Sequence, residues 1–109
     1  MSVDWCDYER VHADRRNLII HLLAVPLFDI AFPAAVIVLV QRAWLLSAVS
    51  ILVAIATIIA QGLGHSKERV EPRPFTGPLD FLKRWFSEQY FKFPAFVLTG
   101  RWWGQYESG

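Results

Sequence analysis

Two long apolar runs dominate the chain. Residues 18–40 hold no Lys, Arg or Glu and are interrupted only by His21, Pro26, Asp29 and Pro33. Residues 43–63, AWLLSAVSILVAIATIIAQGL, hold no charge at all. A membrane span needs about 20 mostly apolar residues, at about 1.5 Å rise each, to cross roughly 30 Å of hydrocarbon. Both runs qualify. The connection between them is as short as Gln41-Arg42-Ala43, which predicts an antiparallel transmembrane hairpin. A soluble protein would have to wrap both helices, and the remaining sequence is too short to do so.

The pattern changes after His65. ERVEPRPFTGP, residues 68–78, carries three prolines and a glycine and reads as an irregular linker. From there helical periodicity returns over residues 78–93. Leu79, Leu82, Phe86, Tyr90 and Phe93 share one face, widened by Phe81 and Trp85, with Asp80, Arg84, Ser87 and Glu88 opposite. This predicts an amphipathic interfacial or short re-entrant helix. PAFVLTGRWW follows, with paired tryptophans suited to a headgroup region. The expected fold is thus a single all-α membrane domain spanning 1–109.

Charge orients it. Arg10, Arg15 and Arg16 precede the first run, and Lys67, Arg69, Arg73, Lys83, Arg84, Lys92 and Arg101 follow the second; the hairpin loop holds only Arg42. The positive-inside rule places both termini in the cytoplasm, in a bacterial protein at the inner membrane. The opening MSVDWCDYER is polar and acidic, so no cleaved leader is expected. A formal net charge of +1 gives no field suited to nucleic acid, and Cys6, the single cysteine, has no partner for a disulfide or a CxxC site.

The polar residues within and beside the runs carry the chemistry. Ser47, Ser50, Ala54, Thr57, Gln61 and His65 recur at intervals of three and four along the second run. Small residues let membrane helices approach closely, and Ser47, Ser50 and Thr57 read as packing. Gln61 and His65 end the stripe on the cytoplasmic side. The three histidines of the chain, His12, His21 and His65, all lie at the ends of apolar runs on that side. His12 and His21 are about 900° apart at 3.6 residues per turn, half a turn out of phase, so one straight helix cannot aim both at one metal. Asp14 is a good N-cap for a helix beginning at Arg15, which frees His12 to fold back toward His21. Ionisable groups at membrane depth mark functional sites, and three imidazoles suit Zn, Fe, Cu or Ni. Asn17, Gln61 and Glu68 are candidates to hold the imidazole tautomers, and Tyr8 lies four residues before His12. Asp29 lies about 80° round the helix from His21 and is expected to face the second helix or another subunit.

YERVHADRRNLIIHLLAVP resembles the first motif of the small membrane-bound 2-hydroxy fatty acid dioxygenases: Tyr8, His12, Asn17, His21 and Pro26 fall in its order, with Ala24 where a glycine is usual. QGLGHSKE is similar to the second motif, through Gln61, Gly64, His65 and Glu68, with Glu71 a competitor for the acidic position. FLKRWFSEQYFKFPAFVLTGRWW is similar to the tails of short bacterial members. The resemblance implies Fe(II), O₂ and oxidative loss of one carbon from a 2-hydroxy fatty acid.

Other functions fit the same residues: a zinc-dependent lipid hydrolase, a small membrane scaffold with ordinary interfacial histidines, or, more weakly, a haem-binding hairpin. Two spans and one further helix are not expected to enclose a polar pocket alone. Buried polar groups at membrane depth need protein around them, so a homo-oligomer, most simply a two-fold dimer, is expected.

Overall fold

The computed structural model describes residues 3–108, and every regular element among them is helical. In chain order they are α1 (Trp5–Arg10), α2 (Arg15–Val40), α3 (Trp44–His65), α4 (Pro78–Ser87), α5 (Phe93–Leu98) and α6 (Arg101–Ser108). A π-helical turn, Glu88–Lys92, runs α4 into α5.

The start of α2 is set by Asp14, whose carboxylate accepts from the Arg16 N–H at 2.8 Å. That satisfies one of the free N–H groups of the first turn. Both prolines lie inside α2. Each lacks an N–H and crowds the carbonyl four residues back. For Pro33 that carbonyl belongs to Asp29, and the Tyr90 hydroxyl donates to it at 3.2 Å. A donor from another helix replaces the one the proline removed.

α2 and α3 pack against one another more extensively than any other pair of helices. Residues 41–43 connect them, with Arg42 in the left-handed region at φ 60°. Ser47 and Thr57 are buried. Their hydroxyls donate to carbonyls of their own helix, Ser47 to Ala43 at 2.8 Å and Thr57 to Ala54 at 2.6 Å. They demand no outside partner, which fits a packing role. The remaining faces are apolar and uncovered: Leu23, Ile30, Leu45 and Leu52 are all more than 60% exposed. Both helices are long and apolar enough to cross a membrane, and the chain itself buries only a small part of either.

The third helical segment differs from expectation. It continues to Leu98 rather than ending near residue 93, and its middle turn is π-helical, with the Phe93 N–H bonded to the Glu88 carbonyl. Pro94 supplies a reason: it cannot donate to the carbonyl of Tyr90 and crowds it, and the backbone widens in the turn just before. The segment therefore has no single buried stripe. Trp85, Phe86 and Tyr90 pack on Phe28, and Phe86 also on Phe32. Gln89, Phe93 and Phe96 are buried.

Phe93 and Phe96 join Tyr8, Leu18, Val25 and Trp102 in the core, so four helices share it. α6 straps the assembly from outside. Trp102 Nε1 donates to the Leu18 carbonyl at 3.0 Å, Gln105 Nε2 to the Glu9 carbonyl at 2.7 Å, and Arg15 Nε to the Tyr106 carbonyl at 2.9 Å. The strap fixes α1 and the first turn of α2 against α5, and the site lies between them.

Candidate metal centre

His12 falls in the bend between α1 and α2. Asp4 caps the start of α1 by accepting from the Asp7 N–H at 3.2 Å, and one residue draws the bend toward the end of α3. Glu68, just beyond α3, accepts from the backbone N–H groups of Ala13 and Asp14 at 2.9 and 3.0 Å and from Asn17 Nδ2 at 2.6 Å. The His12 ring then lies 5.2 Å from that of His21 and 4.8 Å from that of His65, centre to centre, and the His21 and His65 rings are also 4.8 Å apart.

A fourth donor completes the group. The donor atoms of His12, His21, His65 and Glu88 all lie within 4.8 Å of one another. All four belong to one chain. Glu88 was expected on the solvent face of the third helix; the π turn and the packing of both flanks of that helix turn it inward. Its position between aromatics in WFSEQYF was the available signal, but a regular helical wheel hides it.

Hydrogen bonding aims the rings. His12 Nδ1 donates to the Tyr8 carbonyl at 2.8 Å and His21 Nδ1 to the Asn17 carbonyl at 3.1 Å. Each bond reaches back four residues and turns Nε2 toward the other donors, the usual arrangement of a metal-binding imidazole. Tyr8 also stacks on His12, ring centres 4.0 Å apart, and its hydroxyl donates to Glu88 Oε1 at 2.8 Å. Glu88 Oε2 lies 2.9 Å from His12 Nε2.

This arrangement fits a cation. A neutral imidazole has one N–H, yet each ring nitrogen of His12 faces an acceptor, so a second proton or a metal must lie between Nε2 and Glu88. His65 Nδ1 is buried with no hydrogen-bond partner. Three imidazoles and a carboxylate form a donor set for a divalent transition metal. With all four donors this close, no room remains for a haem plane between two axial histidines.

Burial raises the Glu88 carboxyl, but the hydrogen bond from His12 and the neighbouring imidazoles outweigh it, and the group titrates below its ordinary value. The Tyr8 hydroxyl is pushed well above its ordinary value by burial first and by the Glu88 charge and hydrogen bond second.

The other residues singled out by sequence take different places. Glu68 holds backbone and Asn17, not an imidazole. Asn17 contributes its carbonyl to His21 and its amide to Glu68. Gln61 forms a reciprocal amide pair with Gln89, at 2.9 and 2.7 Å, rather than touching a histidine. Glu71 is exposed on the linker and only lines the neighbouring cavity. Asp29 lies outside the cluster, with one carboxylate oxygen buried and unpartnered.

That cavity has a volume of about 820 Å³. The histidines and Glu88 line it, and Ile58, Phe75, Phe81 and Trp85 contribute apolar walls. α1, the linker and the third helix line it alongside α2 and α3. In comparisons with known proteins, no family model, no curated protein and no solved structure matches this chain.

Proposed function

We propose that this chain is a non-haem Fe(II) dioxygenase that shortens 2-hydroxy fatty acids by one carbon, working as a transmembrane hairpin with both termini in the cytoplasm. The observation that carries the reading is the cluster of three histidines and Glu88 lining a cavity that also has apolar walls. The resemblance of the two histidine motifs to the membrane 2-hydroxy fatty acid dioxygenases adds the choice of metal and reaction. The uncovered apolar faces of α2 and α3 support insertion in a bilayer of the bacterial inner membrane, which would deliver the substrate's acyl chain to the cavity. A homodimer through part of those faces belongs to the same reading.

The net reaction balances without an external reductant. R–CH(OH)–COOH and O₂ give R–COOH, CO₂ and water; the C1–C2 bond breaks and four electrons pass from the two carbons to oxygen. His12, His21, His65 and Glu88 would hold the metal. Fe(II) at such a centre supplies the one-electron chemistry by which O₂ reacts with a closed-shell acid. The protein's own part is positional. Tyr8 fixes Glu88 through its hydroxyl and His12 through its carbonyl, and the backbone of Asn17 fixes His21. The apolar wall holds the acyl chain, keeps water from the reacting carbons and sets C2 next to the donors.

The test is direct. Protein purified anaerobically with iron should consume one O₂ per 2-hydroxy fatty acid and release the acid one carbon shorter, detected by mass spectrometry. A zinc-dependent lipid hydrolase uses the same donor set; zinc as the bound metal, with ester cleavage and no oxygen uptake, would establish that reading instead.

A further inference from the structure

A second, smaller hollow of about 290 Å³ lies further along the hairpin. α2 lines it with Phe32, Ala35 and Leu39, and α3 with Ile51, Ala54 and Ile55; every side chain around it is apolar. The helices themselves fix its relation to the histidine cavity. His65, Gly62 and Ile58 line that cavity, and Ile55 and Ile51 line the small hollow. These five residues recur at intervals of three, four, three and four, which is one face of α3. α2 repeats the arrangement. His21 lines the cavity, Phe32, Ala35 and Leu39 line the hollow, and all four share a face.

The two spaces therefore lie in line along the packed pair α2 and α3. At 1.5 Å rise per residue, Ile58 is about 10 Å and Ile51 about 21 Å from His65 along the helix axis. At Gly62, between His65 and Ile58, a methyl group would meet nothing within 4 Å, so the backbone there borders open space. The hollow itself offers no side chain to a polar group, and only hydrocarbon gains by entering it. A second copy would meet it with a helix about 10–12 Å across, too broad to enter a space of that volume. A single acyl chain is slender enough. Bilayer hydrocarbon is about 30 Å thick, so one leaflet's acyl chains extend about 15 Å. With its head among the donors, a chain of that length passes Ile58 and reaches Ile55.

Resting on the dioxygenase reading, we propose that the small hollow receives the far end of the substrate's acyl chain, so that the site selects long-chain over medium-chain acids. Ala35 and Ala54 determine the selection, because their small side chains leave the space that the chain end fills. A medium-chain acid ends near Ile58 and leaves the hollow empty.

The experiment maps where the chain end lies. Metal-loaded protein in uncharged detergent is irradiated with saturated fatty acids bearing a terminal diazirine, one long-chain and one medium-chain. Labelled residues are identified by mass spectrometry, with and without excess unlabelled long-chain acid. The long-chain probe should label residues 32–39 and 51–55, the medium-chain probe Ile58 and Phe81, and the excess acid should remove both. Ala54→Leu narrows the hollow. It should weaken displacement of the probe by the long-chain acid about tenfold or more, the cost of overpacking, and shift the long-chain label toward Ile58, with metal content retained. A long-chain label confined to Ile58 and Phe81 in wild type would overturn the proposal, and so would label in the hollow that excess acid does not compete. The wild-type labels decide the matter even if Ala54→Leu fails to fold. Neither probe carries a 2-hydroxyl and neither arm needs oxidation, so absence of O₂ uptake would count against the dioxygenase reading and leave the labelled positions separately readable.

Discussion

The Asn17 carboxamide lies against Gly64 so closely that a methyl group on residue 64 would collide with Asn17 Oδ1. α2 and α3 meet there next to His21 and His65, and the glycine makes the approach possible. Gly64→Ala should therefore cost stability by overpacking, about 1–3 kcal/mol, and should loosen metal binding by displacing Asn17, whose carbonyl holds His21. Gly62→Ala is the control. A methyl there meets nothing within 4 Å, and alanine is the better helix former by up to about 1 kcal/mol. Thermal unfolding in detergent with metal analysis checks both; equal behaviour of the two variants would contradict the packing account.

Glu88 and Glu68 are predicted to separate donor from scaffold. Glu88→Gln retains an oxygen for the Tyr8 hydroxyl but loses the anionic donor. Metal retained after dialysis against a chelator should then fall close to the level of His12→Ala, His21→Ala or His65→Ala. Glu68→Gln disturbs only the bend and Asn17, and the expected loss is the roughly 10–100-fold typical of groups that orient ligands. If Glu88→Gln retained metal like wild type, the fourth donor would be misassigned.

How much of this was legible follows from what each residue's position depends on. The extents of α2 and α3 could be read from composition, because an apolar run of that length has few other places to go. The fold-back of His12 could be read too, since Asp14 announces a helix start after it. Glu88 could not. Its direction is set by a π turn and by packing on both flanks of one helix, neither of which has a period a wheel can display. The sequence places Glu68 near the site, but its partners are backbone N–H groups and Asn17 rather than an imidazole. A carboxylate that satisfies backbone N–H groups leaves no pattern distinct from one that holds an imidazole. The pairing of Gln61 with Gln89, 28 residues away, lies beyond any local spacing rule.

That amide pair makes a prediction of its own. Gln61 and Gln89 are both almost completely buried, and each donates to the other. Gln61→Leu leaves the Gln89 amide without a partner, at about 1–3 kcal/mol. The double variant Gln61→Leu with Gln89→Leu removes both polar groups at once and should recover much of that loss. A double-mutant cycle on unfolding free energy measures the coupling. Additive losses would mean that the pair does not interact as described.

Tyr8 sets an alkaline limit for the metal-free protein. Its folded pKa is raised by burial and by Glu88, so the unfolded chain releases this proton first. The contribution of Tyr8 to stability is complete below the ordinary tyrosine value of about 10. It declines as pH rises toward the raised folded value. Glu88 works at the other end: its lowered pKa gives stability that is present above the ordinary glutamate value of about 4.3 and is lost as pH falls through the folded value. Tyr8→Phe should flatten the alkaline decline in unfolding free energy. A decline of the same steepness in wild type and variant would assign it elsewhere.

The last prediction concerns the proline inside α2. Pro33 deprives the Asp29 carbonyl of its helical donor, and Tyr90 supplies the replacement across 61 residues of sequence. With α2 in a bilayer, as proposed, no water is at hand to take over. Tyr90→Phe should therefore destabilise the protein by about 1 kcal/mol or more, the cost of an unsatisfied buried acceptor. The partner variant decides the cause. Pro33→Ala restores an N–H four residues after Asp29, so that carbonyl again has a donor within its own helix. Tyr90→Phe should then cost much less in a Pro33→Ala background than in wild type. Tyr90 also packs its ring on Phe28, but phenylalanine preserves that contact, so a residual loss shared by both backgrounds would measure something other than the hydrogen bond. An undiminished cost in the Pro33→Ala background would show that the hydroxyl is not standing in for the missing helical donor.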